Sequence, residues 1–248
     1  MKNSKIKKIL IIITACICLI VAGAYIAITV YVNDYYHAKD VTQGVLTDKY
    51  QNLKITYTDD LITFMPTSDE VTTGIILYPG AKVEFTAYAP LMESLAEENI
   101  ACFIVHMPGN LAMFDMDAAA AVKEANPNIT SWYIAGHSLG GAMASAYISE
   151  HASEYDGLIL LASYSTKDLT DSGLKVLSIY GSNDQVLSKE SYEENRSNLP
   201  ADTVEYVIPG GNHAMFGDYG PQDGDGEAQI TPAMQVDITK NRILELIK

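Results

Sequence analysis

The chain has 248 residues, enough for one sizeable domain plus a short extra segment. It carries 31 Asp and Glu against 16 Lys and Arg, a formal net charge of −15. All the acidic residues lie beyond residue 32, whereas four lysines precede it, so the remainder stands at −19; that excess excludes nucleic acid and anionic lipid faces as natural partners.

Lys2, Lys5, Lys7 and Lys8 open the chain, and Ile9 to Val32 then run without a charge. As a helix those residues would reach about 36 Å, more than the ~30 Å of a hydrocarbon core. The expected organisation is a basic cytoplasmic stretch over 1–8, a transmembrane signal-anchor helix over 9–32, a polar tether over 33–50 and a domain over 51–248. The basic flank precedes the span, which places the N-terminus in the cytoplasm and the domain outside the cell membrane. Two cleavage readings compete. Ala22-Gly23-Ala24 resembles a signal-peptidase site and Ile13-Thr14-Ala15-Cys16 a lipoprotein box, but apolar residues continue beyond both.

After the tether, "LKITYT" and "LITFMP" read as strands joined at Asp59-Asp60. Apolar runs and helical stretches then alternate. "TGIILYPG", "ACFIVHMP", "SWYIAG", "GLILLAS", "KVLSIYG" and "TVEYVIPG" read as strands. Helices are expected over "TAYAPLMESLAEENI", "DMDAAAAVKEAN", 138–151, 188–198 and from Pro232, where Thr231 supplies an N-cap. The pattern predicts an α/β domain with a mostly parallel, doubly wound sheet covered on both faces.

In such a sheet, chemistry gathers beyond the carboxyl ends of the strands. Ser138 in "GHSLG", Asp184 in "GSNDQ" and His213 in "GGNHAMFG" each stand at a strand end. A serine hydroxyl needs a base to take its proton and a third group to orient that base. The order Ser, Asp, His is that of the nucleophile-elbow hydrolases, and Gly136 and Gly140 relieve crowding at a sharp strand-to-helix turn. Backbone N–H groups of Ala81 and Leu139 are the expected oxyanion donors, with Lys82 the weaker candidate. The plain alternatives are a helix N-cap for Ser138 and simple turns at Asp184 and Ala81. His106 and His137 flank the site and read as structural. Cys102 stands alone in "IACFIV", and no Cys/His cluster suggests a metal. Asp223 to Glu227 lacks the ligand series of a calcium loop and reads as an acidic loop near the site mouth.

With those residues placed, the chain resembles the α/β-hydrolase superfamily over roughly residues 50–248. The likeness is to compact bacterial dienelactone-hydrolase-like members of the fold-5 type, through "LYPGAKVEFTAYAPLMESLA", "HMPGNLAMF", "IAGHSLGGAMA", "SIYGSNDQV" and "GGNHAMFGDYGPQDGDG". The resemblance implies a serine hydrolase with Ser138, Asp184 and His213 as triad and no cofactor. Dienelactone hydrolases proper use a cysteine nucleophile, so Ser138 argues against dienelactone as substrate. About a dozen residues separate "GLILLA" from "KVLSIYG", too few for a lid domain, which predicts an open, shallow site bordered in part by the acidic 214–230 loop. The expected partners are a small-molecule or cell-surface ester and, through the N-terminal helix, the membrane. Acyl transfer, amide hydrolysis or a catalytically silent binding module would use the same scaffold.

Overall fold

The computed structural model describes residues 2–47, 50–68 and 70–248. They form two compact units, Met1–Tyr35 and Tyr36–Lys248. The first is essentially one helix, α1 (Lys2–Asn33), whose segment Leu10–Asn33 is long and apolar enough to cross a membrane. From Leu10 to Tyr31 its side chains are almost all apolar and spread round the helix rather than on one stripe.

The second unit is built on an eight-stranded sheet of order β1-β2-β4-β3-β5-β6-β7-β8. β1 (Leu53–Tyr57) and β2 (Leu61–Pro66) form the expected hairpin, and β2 joins β4 (Ala101–Val105) antiparallel. β3 (Thr73–Tyr78), β5 (Ser131–His137), β6 (Gly157–Leu161), β7 (Lys175–Gly181) and β8 (Val204–Ile208) complete it, and every pairing from β4 onward is parallel. Successive side chains of a strand point to opposite faces, and here both faces are apolar. Ile75, Leu77, Tyr133 and Ala135 face one side, against α3 (Ala89–Ala96) and α7 (Pro232–Ile247). Ile76, Tyr78, Ile134, Leu158 and Leu160 face the other, with α4 (Ala118–Ala125) and α5 (Leu139–His151). α6 (Lys189–Asn195) follows β7.

β3 lies between β4 and β5, so the chain crosses β3 after β4 and the connections leave in opposite senses. That switch point opens a crevice at the carboxyl ends of β3 and β5. The connection from β6 to β7 covers only residues 162–174 and carries no inserted domain.

One segment departs from expectation. Part of the stretch expected as a polar tether, 33–50, is folded onto the domain. Tyr36 pairs with Val83 as a parallel bridge, its N–H donating to Lys82 C=O and its C=O accepting from Glu84 N–H. A short helix, α2 (Asp40–Thr47), follows, with Thr42 buried. Val45 and Leu46 join the core on the α3 side. Polar neighbours had hidden this short apolar spacing.

Candidate active site

The turn from β5 into α5 carries Ser138 at φ 52°, ψ −123°, a backbone region that L-residues adopt at a cost of about 1–3 kcal/mol. Tight packing holds it there. A Cβ on Gly136 would stand 2.5 Å from the Gly141 backbone, and one on Gly140 would collide with the carbonyls of Tyr78 and Pro79. The glycines therefore let α5 press against both its own strand and the end of β3. Ser138 N–H donates to Leu161 C=O at 2.9 Å, and Ser163 Oγ donates to Ser138 C=O at 2.7 Å.

Among the described residues three serines or threonines sit at α-helix N-cap positions, and they behave differently. Ser188 Oγ accepts from Ser191 N–H and Thr231 Oγ1 from Met234 N–H, as caps do. The Ser138 side chain makes no capping hydrogen bond. The cap reading thus fails for Ser138, which lines a cavity of about 260 Å³. His213, from the loop after β8, lines the same cavity, as does Leu139. Leu139 is the first residue of α5, where a backbone N–H has no acceptor within the helix.

His213 and Asp184 are buried together, with His213 Nδ1 2.9 Å from Asp184 Oδ2. The other carboxylate oxygen, Oδ1, accepts from Val186 N–H at 2.9 Å and Leu187 N–H at 2.8 Å. Burial by itself would raise the Asp184 carboxyl; the hydrogen bond and charge of His213 and the two N–H donors outweigh it and hold the group below the usual carboxylate range. An ionised Asp184 makes Nδ1 the donor and leaves Nε2 to accept a proton. Nε2 is buried without a hydrogen-bond partner among the described residues.

Ala81 follows β3 in a turn held by Lys82 N–H to Asn110 C=O (2.9 Å) and Val83 N–H to Gly80 C=O (3.3 Å). Among the described residues its own N–H takes no part in those bonds. The turn abuts Gly140, but Ala81 is not among the residues lining the cavity. Lys82 itself lies at φ 57°.

The acidic loop does not border the cavity as expected. Asp225 Oδ2 accepts from Ala214 N–H at 2.9 Å, its Oδ1 from Gly226 N–H at 2.8 Å, and Asn183 Nδ2 donates to Glu227 C=O at 2.8 Å. Gly226 packs so closely on Asn183 that no side chain would fit. The loop is a brace behind the Asp184 and His213 turns, and it lines a separate groove of about 540 Å³ with Lys39. His106 is half-buried, its ring stacked 4.6 Å from that of Phe85 and its Nδ1 2.7 Å from Asp59 C=O.

A model of the alpha/beta hydrolase family matches residues 74–237, about two thirds of the chain. The chain belongs to that family. Solved structures agree on the fold of this alpha/beta hydrolase. Est1E from Butyrivibrio proteoclasticus matches with a TM-score of 0.58 at 16% identity, covering 79% of this chain and 99% of its own. Carboxyl esterase 2 (TmelEST2) from the fungus Tuber melanosporum matches with a TM-score of 0.60 at 12% identity, covering 86% and 91%. A CIB-like hydrolase from Thermoplasma acidophilum gives 0.58 at 16%, covering 77% and 97%. No curated protein sequence matches this alpha/beta hydrolase.

Proposed function

We propose that the chain is a membrane-anchored serine hydrolase that cleaves carboxylic esters through an acyl-enzyme. The observation that carries this reading is the uncapping Ser138 hydroxyl, which shares a cavity with a histidine oriented by a buried carboxylate. In the proposed sequence Ser138 Oγ attacks the ester carbonyl carbon while His213 Nε2 takes its proton. The tetrahedral oxyanion is held by the N–H groups of Ala81 and Leu139, aided by the positive end of α5. His213 returns the proton to the departing alcohol. Water, activated by the same nitrogen, then attacks the acyl carbon and frees Ser138.

The cavity supports a short, neutral acyl group. Its walls are Ala142, Ala162, Val186 and Leu187 with Ser163, Tyr164 and Ser188, and among the described residues no Lys or Arg lines it to receive an acidic substituent. The span Leu10–Asn33 and the lysines before it support an uncleaved anchor with the N-terminus in the cytoplasm and the hydrolase outside.

The full-length protein in detergent micelles, treated with a fluorophosphonate, tests the reading. The parent should label, Ser138→Ala should not, and His213→Ala should lose about 10⁴-fold or more in esterase activity. A folded parent that neither labels nor hydrolyses esters would instead identify a silent binding module.

A further inference from the structure

Behind the elbow runs a buried polar chain that none of these chemical steps uses. Gly80 N–H donates to Tyr88 Oη at 2.9 Å, and Tyr88 Oη lies 2.8 Å from His137 Nδ1. A phenol carries one hydrogen. Among the described residues His137 Nδ1 is the acceptor within reach of the phenol hydrogen, so Tyr88 donates to Nδ1 and the ring hydrogen of a neutral His137 sits on Nε2. Tyr88 is 0% exposed and His137 1%. Burial, with the neighbouring His213 adding to it, pushes His137 well below the usual imidazole range, so the ring is neutral at pH 7.

The far side of His137 faces His213, ring centroids 4.6 Å apart. With Nδ1 taken, Nε2 is buried without a hydrogen-bond partner among the described residues, and the ring meets His213 by packing against its imidazole. Gly80 shows how closely this chain is packed. A Cβ there would stand 2.8 Å from His137 Nδ1 and 3.0 Å from Tyr88 Oη, and Gly80 is not at positive φ, so the glycine serves room rather than conformation.

We propose that Tyr88 and His137 are positioning residues for acyl transfer, tying the Pro79–Gly80 peptide, which adjoins the Ala81 N–H, on one side of the elbow to the His213 ring on the other. The pair sets the spacing between an oxyanion donor and the base, Ala81 and His213, which are 132 residues apart in sequence. The inference rests on the serine hydrolase reading above. Displacements well under 1 Å at such groups cost rate rather than substrate binding.

The test uses the full-length protein in detergent. Tyr88→Phe keeps the buried ring and removes only the hydroxyl. Its kcat on a short-chain ester should fall about 10- to 100-fold, with KM within about threefold. Its affinity for a trifluoromethyl ketone, which forms a tetrahedral adduct with an active serine, should fall by the same factor as kcat/KM. At position 137, asparagine and leucine are similar in volume, but only asparagine offers Tyr88 an acceptor. His137→Asn should retain several-fold more kcat than His137→Leu, which keeps the inference testable if Tyr88→Phe fails to fold. Parent kcat and ketone affinity in Tyr88→Phe, equal losses in the two His137 variants, or a rise in KM at unchanged kcat would each overturn it. A parent without esterase activity or labelling overturns the hydrolase reading and this one with it. An active parent matched by Tyr88→Phe overturns this one alone.

Discussion

Asp184 commits both carboxylate oxygens, one to His213 and one to two backbone N–H groups. Asp184→Asn preserves the shape but can present an amide N–H where His213 Nδ1 requires an acceptor, so kcat should fall about 10³- to 10⁴-fold. The same contacts set an acid limit. A carboxyl held lower in the folded than in the unfolded chain contributes stability above the unfolded value, near 3.9, and loses it as pH falls through the folded value. Urea unfolding of parent and Asp184→Asn should therefore show a gap at pH 7 that narrows below about pH 4. At this scale Ser138, Asp184 and His213 could be read from the sequence because each sits in a glycine-marked turn at a strand end. Tyr88 could not. It lies in a stretch read simply as helix, which gives no hint that its hydroxyl faces His137 49 residues away.

The segment from Tyr36 to α2 acts as a strap over two loops of the site. Tyr36 holds the backbone of Lys82 and Glu84, next to Ala81, and its hydroxyl accepts from Asp223 N–H at 3.0 Å. Thr42 donates its N–H (2.8 Å) and Oγ1 (3.1 Å) to Asp218, five residues after His213. Asp218→Ala leaves the buried Thr42 donors unpaired. A loss of about 1–3 kcal/mol is expected in urea unfolding, with a several-fold fall in esterase rate and unchanged fluorophosphonate stoichiometry. The strands and the principal helices were readable because their periodicity is carried by long apolar runs. α2 was not, since eight residues with two glycine- or threonine-rich turns give periodicity little to work on, and its support comes from partners some 176 residues distant.

For the whole molecule, α1 and the cavity lead to separable expectations. After cell lysis the protein should sediment with membranes and be released by detergent but not by high salt, because the proposed attachment is an apolar span rather than a charged face. In a series of p-nitrophenyl esters from two to ten acyl carbons, kcat/KM should be highest at two to four carbons and fall beyond, as a space of about 260 Å³ fills. A maximum at long chains would remove the short-acyl reading. The bare β6–β7 connection has a further consequence for how the acyl group leaves. With no inserted domain over Ser138, the acyl-enzyme would lie open to bulk solvent, and water is the most abundant nucleophile that can reach it. An alcohol or amine acceptor would have to be bound beside the acyl group to compete, and the walls carry no Asp, Glu, Lys or Arg among the described residues to bind it. For the proposed acyl-enzyme this exposure favours release of the acyl group to water over its transfer to a second substrate.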